Sequence, residues 1–208
     1  MSEQKVYDYL SELNVSRETF PLLAQYVQLL LKWNQAYNLV GKTTESQMWD
    51  RHVLDSVQVL PHVDLQQPLL DIGTGAGLPG LLLAVLGAKE VHLVDSNHKK
   101  GQFLRMAARQ LGIAPYIYTE RLEKITSFPV KTITCRAFKS LDTILDMTQS
   151  FQQAETIYVL LKGATWTEEV ATAHENWQFE SQNHPSMTAD GACILCLESV
   201  KYSGNSKV

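Results

Sequence analysis

The residues best placed to do chemistry lie in Leu69-Leu-Asp71-Ile-Gly73-Thr-Gly75-Ala-Gly77-Leu-Pro79-Gly80, where four glycines follow a short apolar run and precede a helical one. Glycines between a strand and a helix let the backbone turn tightly and let a ligand approach with no Cβ in the way. The spacing predicts a cofactor loop. Gly75-x-Gly77-x-x-Gly80 also satisfies the dinucleotide fingerprint, with Asp95 twenty residues beyond Gly75, so an NAD-dependent oxidoreductase is one reading. Two features oppose it. A carboxylate at the strand end, Asp71, would repel a pyrophosphate but attract the sulfonium and ammonium charges of S-adenosylmethionine. The strand also hands over at Gly73, two residues before the fingerprint begins. S-adenosylmethionine is therefore the expected cofactor.

A second short apolar run ends at Val94-Asp95, and an acidic residue there can accept both ribose hydroxyls of an adenosine. After a third run, Glu120-Arg121-Leu122-Glu123 offers a backbone N–H and a carboxylate to an adenine edge. Arg51, His52 and Asp55 share one predicted helix, where Arg51 and Asp55 are four apart and able to pair. Lys99 and Lys100 open another helix, where cations oppose the macrodipole, and a phosphate contact would explain them. Trp33, Tyr37 and Phe138 are candidate stacking surfaces for a base. Cys193-Ile-Leu-Cys196 places its thiols on opposite faces of a predicted strand, and His174-Glu-Asn-Trp-Gln178 lacks the second histidine of a zinc-protease motif. No metal is predicted.

These residues need a scaffold, and the chain is long enough for one. Its 208 residues favour one domain with an appendage, and 45% hydrophobic with 19% charged residues excludes disorder and collagen-like repetition. A net charge of −4 excludes a generally sticky polycation, so a polyanionic partner would be met by a local face. The apolar run Leu78 to Ala88 falls short of the roughly 18 residues that cross a bilayer. The polar start lacks the order of a secretory signal, and three cysteines are too few for a disulfide framework. A cytoplasmic protein with reduced thiols and no membrane partner is expected.

Residues 1–64 read as a helical extension. Leu23, Tyr26, Val27, Leu30, Trp33 and Tyr37 line one helical face, Gly41 supplies a stop, and Thr44 with Gln47 has capping-box spacing before a helix running to Pro61. From residue 65 to 202 short β-branched runs alternate with helices, which predicts an α/β core with a mostly parallel sheet. Strands are expected at Leu69–Ile72, Val91–Asp95, Tyr116–Thr119, Thr132–Cys135 and Ile157–Leu161, followed by a hairpin of Gln178–Gln182 and Cys193–Val200. Helices are expected at Gly80–Gly87, Lys99–Leu111 and Leu141–Ser150. Residues 203–208 read as a frayed tail.

The motif Asp71-x-Gly-Thr-Gly-Ala-Gly-Leu-Pro-Gly80 strongly resembles that of the RsmG (GidB) family of bacterial 16S ribosomal RNA guanine-N7 methyltransferases. Trp33-Asn-x-x-Tyr-Asn-Leu39, Arg51-His-x-x-Asp-Ser56, Asp95-Ser-Asn-x-Lys-Lys100, Arg136-Ala-Phe138 and Leu161-Lys-Gly163 match in order. The resemblance implies a class I S-adenosylmethionine-dependent methyltransferase, Rossmann-like, with a seven-stranded sheet whose last strand is antiparallel. It implies methylation of guanine 527 in 16S rRNA of the small ribosomal subunit or its assembly precursor; a monomer is expected. Cofactor contacts carry over to Gly73, Leu78, Leu122, Glu123 and Arg136, with Asp95 added from the fold's ribose-binding pattern and Gly75 from the glycine loop itself. Acceptor-side residues carry over to Arg51, His52, Asp55 and Phe138. The chain departs from the family at Asp190-Gly-Ala-Cys-Ile, where a basic residue often follows the corner, and at Cys135, where Ser is common. Because guanine N7 carries a lone pair and no proton, no catalytic base is expected. A non-catalytic RNA-binding module on a degenerate methyltransferase fold is the remaining alternative, and the intact loop with Asp95 and Glu123 argues against it.

Overall fold

The computed structural model describes residues 2–204. Its N-terminal layer begins with α1 (Ser2–Glu12) and α2 (Phe20–Tyr37). Leu23, Tyr26, Val27, Leu30 and Asn34 form the buried stripe of α2, as the three-and-four spacing requires. The stop comes at Asn38, left-handed at φ 47°, three residues before the expected Gly41. Beyond it the expected capping box does not form. Lys42–Gln47 winds as a 3-10 turn, Met48–Leu54 as wider π turns, and a short α3 (Asp55–Val57) leads to a 3-10 turn at Leu60–His62.

The sheet comprises β1 (Leu69–Ile72), β2 (Val91–Val94), β3 (Tyr116–Tyr118), β4 (Thr132–Arg136), β5 (Ile157–Lys162), β6 (Trp177–Pro185) and β7 (Cys193–Tyr202), in the order β3-β2-β1-β4-β5-β7-β6. The first five strands run parallel, and β7 is antiparallel to both neighbours. Every residue of β1 and β2 is buried, as befits central strands covered on both faces. Helices α4 (Gly80–Val85), α5 (His98–Leu111), α6 (Leu141–Thr148) and α7 (Trp166–Ala173) complete the layers. One apolar cluster joins the N-terminal layer, α4 and α5 to the sheet, and a second lies under α6 and α7.

The expected strands are all present, most of them one to three residues different at an end. The hairpin is longer than read: β6 carries exposed Glu180, Gln182 and Asn183 on an edge strand, where polar side chains break the apolar signal yet the ladder continues. Helix α7 was not expected, because it buries only Ala173 fully. Ser203 and Gly204, read as frayed, donate their N–H groups to the Asn176 carbonyl at 2.8 and 3.1 Å, and residues 205–208 lie outside the described residues. Cys135 and Cys193 are buried, Cys196 is half-buried, and all three are free thiols. No helix among the described residues is long and apolar enough to cross a membrane.

Candidate active site

The carboxyl ends of β1, β2 and β4 lie side by side, which gathers the glycine loop, Asp95 and Arg136 at one edge of the sheet. Asp71, inside β1, is fully buried beneath the loop and does not line an open cleft, so the expected direct countercharge is corrected. Its Oδ2 accepts from the Thr74 hydroxyl at 2.5 Å and from the Gly80 N–H at 2.8 Å, while Oδ1 has no partner. Burial pushes this carboxyl up to about 7, opposed by the bonds from Thr74 and Gly80 and by the Arg136 charge. The engaged Gly80 N–H is the one that a dinucleotide pyrophosphate would need at the start of α4. A Cβ on Gly80 would lie 2.6 Å from Asp71 Oδ2, so only glycine lets the carboxylate this close. The Tyr26 hydroxyl donates to the Ala76 carbonyl at 2.8 Å and ties the loop to α2.

Above the loop opens a cleft of about 720 Å³, lined by Gly73, Asp95, Leu122, Glu123 and Phe138 among others. Asp95 Oδ2 accepts from the Gly75 N–H at 2.9 Å and from Lys100 Nζ at 3.4 Å, and its Oδ1 accepts from the Asn97 N–H at 2.9 Å. Gly75 thus shapes the cleft through its N–H without lining it. Leu78 is buried in the core under the loop. The cleft combines a backbone approachable at Gly73, carboxylates at Asp95 and Glu123, and an aromatic face at Phe138. Together with the unpartnered Oδ1 of Asp71 beneath the loop, this donor set fits a cationic adenosine-containing cofactor such as S-adenosylmethionine. The same set fits a pyrophosphate poorly.

Gly73 stands at φ +64°, and a Cβ there would come within 2.3 Å of the Phe138 ring. Gly73→Ala is therefore expected to weaken binding of S-adenosylhomocysteine by at least about tenfold, or about 1.4 kcal/mol, because the backbone strains and the ring moves into the cleft. Calorimetric titration of the folded variant checks this, and unchanged affinity would remove Gly73 from the cofactor wall.

A second cleft of about 280 Å³ adjoins the first and is lined by Arg51, His52, Asp55, Arg136 and Thr188 among others. Ala137 borders both, in a left-handed conformation at φ 47° that non-glycine residues seldom adopt. That turn sends Arg136 into one cleft and Phe138 into the other. Arg136, expected at the cofactor, lines the second cleft and not the first. Its Nη1 donates to Asp55 Oδ2 and to the Arg51 carbonyl, each at 3.1 Å, and Nη2 donates to His52 Nδ1 at 2.7 Å. The expected Arg51–Asp55 pair is not formed: Asp55 Oδ2 is taken by Arg136 and its Oδ1 by Gln58 and Thr188, while the Arg51 side chain is exposed.

Since a guanidinium only donates, His52 Nδ1 accepts and the ring proton sits on Nε2, which faces Thr44 Oγ1 at 2.8 Å. Thr44 in turn donates to the Gly41 carbonyl at 2.8 Å. Burial, then the charges of Arg136 and Arg51, lower His52 from its ordinary 6.5 to about 4. The folded protein consequently refuses a proton that the unfolded chain accepts. The stability tied to His52 is complete above pH 6.5 and is lost as pH falls toward 4. Chemical denaturation of wild type and His52→Gln at pH 7 and pH 4.5 checks this. The wild type should lose more stability between the two conditions than the variant, and equal losses would contradict the assignment.

The structure brings Gly73, Asp95, Leu122, Glu123 and Phe138 to one cleft and Arg51, His52, Asp55 and Arg136 to the other. Trp33 and Tyr37 stack on each other at 5.1 Å, and Trp33 packs on Phe103 between α2 and α5, so neither lines a cleft. Lys99 Nζ lies 6.0 Å over the Tyr37 ring, and Lys100 serves Asp95. Residues the sequence reading missed include Gln58 and Thr188, whose side chains both reach Asp55 Oδ1. Nothing in their spacing marks them, since Thr188 lies in the hairpin connection far along the chain. Thr44 had a signal, but its spacing to Gln47 pointed to a cap.

The family model described as GidB, rRNA small subunit methyltransferase G, matches residues 19–193. Among curated proteins, the ribosomal RNA small subunit methyltransferase G of Rhodospirillum centenum is 36% identical over 95% of this chain and 92% of its own. That of Rhodospirillum rubrum is 41% identical over 86% of this chain and 92% of its own. Among solved structures, an O-methyltransferase from Bacillus cereus in complex with SAH superposes with a TM-score of 0.60 over 95% of this chain and 100% of its own, at 14% identity. A ribosomal protein L11 methylase from Lactobacillus delbrueckii gives 0.55 over 79% of this chain and 81% of its own, at 16% identity. Those two likenesses establish a methyltransferase-type fold, and the sequence matches go further: the chain belongs to the GidB family, rRNA small subunit methyltransferase G.

Proposed function

We propose that this protein transfers the methyl group of S-adenosylmethionine to N7 of guanine 527 in 16S rRNA, within the small ribosomal subunit or its assembly precursor. It acts as a cytoplasmic monomer. The observation that carries the reading is a pair of clefts meeting at Ala137, one suited to the cofactor and the other holding no free base. In the second cleft both His52 nitrogens are engaged, Asp55 accepts on both oxygens, and Lys162 Nζ is held by the Lys139 carbonyl and Glu169. An acceptor that must lose a proton would find no base here, whereas guanine N7 offers a lone pair and has no proton to lose.

When bound, S-adenosylmethionine supplies an electrophilic methyl group on a sulfonium. The chain's own residues then bind and align. Gly73, Asp95, Leu122 and Glu123 form the cofactor wall, Gly75 fixes Asp95, and Leu78 supports the loop from the core. Arg136 acts as a positioning residue: with His52 and Asp55 it clamps the 1–64 segment against the sheet edge of the 65–202 core. Alignment is the demand such a transfer makes, with reacting atoms roughly 3 to 3.5 Å apart. Since N7 must stay free, the usual arginine fork onto O6 and N7 is unavailable to the enzyme, and the Phe138 face suits both the base and its cationic product.

Calorimetric titration tests the cofactor class. S-adenosylhomocysteine should bind and NADH should not. NADH binding without the thioether nucleoside would restore the oxidoreductase reading.

A further inference from the structure

The donor atoms of His62, His184 and Cys196 all lie within 4.8 Å of one another. They arrive from three elements: the 3-10 turn Leu60–His62 of the N-terminal layer, edge strand β6, and β7. In the β6–β7 ladder, Gln182 faces Cys196 and His184 faces Ile194, so His184 and Cys196 are diagonal neighbours on one face of the sheet. That face carries Val159 and Ile194 and packs against the N-terminal layer, which brings His62 to the pair. The two imidazole rings lie 4.2 Å apart at an interplanar angle of 31°. All three residues are half-buried, sheltered yet reachable from solvent.

We propose that His62, His184 and Cys196 form a zinc site that clasps the β6–β7 hairpin to the N-terminal helical layer. Two imidazoles and a thiolate are the nitrogen and sulfur donors that zinc prefers, and hard cations such as magnesium or calcium require oxygen ligands that this cluster lacks. Zinc bond lengths in tetrahedral geometry set donors roughly 3.4 to 3.7 Å apart, so closing the cluster draws its donors together by no more than about 1.4 Å. Three protein ligands leave the fourth position to solvent. Coordination releases the thiol proton of Cys196 to water, and both imidazoles bind in neutral form.

The site would reinforce an existing seam. Gln58 donates to Ser186 Oγ at 3.3 Å and accepts from the Met187 N–H at 2.9 Å, and the Thr188 hydroxyl donates to Asp55. Those contacts hold the hairpin connection against α3, beside the carboxylate that pairs with Arg136. A metal four residues beyond Gln58 would fix the same junction from its other side.

The test uses the untagged full-length protein freed of metal by a chelator, titrated with zinc alone and, separately, with cobalt(II). Expected are one zinc per chain, a zinc-dependent rise in melting temperature, and a thiolate-to-cobalt charge-transfer band in the near ultraviolet. Cys196→Ser should abolish the band, and His62→Gln or His184→Gln should weaken zinc binding by more than about tenfold. The cobalt spectrum of the wild type requires no variant to fold. Absence of stoichiometric binding, binding without the band, or a band that survives in folded Cys196→Ser would overturn the proposal.

Discussion

Arg136→Ala lowers the single-turnover rate of methyl transfer on the order of a hundredfold, the scale of a misalignment of about 1 Å at a reacting centre. Affinity for the neutral S-adenosylhomocysteine changes little, because the guanidinium lies in the second cleft and its hydrogen bonds go to Arg51, His52 and Asp55. The variant also loses stability. Asp55 Oδ2 gives up its cationic partner and His52 Nδ1 its donor, at a cost of about 2 to 3 kcal/mol in the range for hydrogen bonds to charged groups. Arg136→Lys should recover part of the melting temperature but little of the rate, since a point charge cannot reach Asp55, the Arg51 carbonyl and His52 together. Melting temperature and single-turnover methylation measured on one preparation separate the two effects. Normal turnover in folded Arg136→Ala would reduce the residue to a tie between the strand end and the helices.

Asp71→Asn is expected to fold yet to bind S-adenosylmethionine at least about tenfold more weakly. The asparagine oxygen can still receive the Thr74 and Gly80 donors, so the loop keeps its shape. Its amide nitrogen, however, would occupy the buried position of the unpartnered Oδ1, and the negative charge beneath the loop would be gone. The loss should be larger for the sulfonium cofactor than for the neutral thioether S-adenosylhomocysteine. A pH signature accompanies it. Burial raises the Asp71 carboxyl from 3.8 to about 7, so its contribution to stability is complete below pH 3.8 and is lost as pH rises through 7. A cation bound in the cleft favours the ionised form, so affinity for S-adenosylmethionine should be higher at pH 8 than at pH 6 in the wild type and flat in Asp71→Asn. Equal losses for both ligands with no change in pH dependence would leave Asp71 a purely structural group.

Much of the scaffold was legible because its signals are local. The central strands are short, mostly apolar runs bounded by Gly, Pro and Asp, and β1 falls on the residues expected, Leu69–Ile72. Side-chain direction was not legible. Asp71 belongs to β1 and faces the loop from below, which no spacing rule distinguishes from a carboxylate facing a ligand. The pairing of Asp55 is set by tertiary contacts that helical spacing does not carry. The wider turns through Met48–Leu54 carry no distinct sequence pattern, and Asp55 is instead held by Arg136 and Thr188, both distant in the chain. Long-range partners were equally hidden: Thr188 reaches Asp55 and His184 meets His62 only because the hairpin folds back over the N-terminal layer. Arg136 and Phe138 were identified by family resemblance, and the physical reason for their spacing, opposite directions from a left-handed Ala137, needs coordinates to be seen.

The most direct measurement supplies purified protein and S-adenosylmethionine to small ribosomal subunits from a strain lacking this methyltransferase, and maps N7-methylguanine along the 16S rRNA by chemical cleavage and primer extension. The predicted result is a single new stop at guanine 527, weakened with Gly73→Ala at limiting cofactor and strongly reduced with Arg136→Ala. Methylation at another nucleotide, at another atom of that guanine, or no transfer from a cofactor-binding protein would contradict the account.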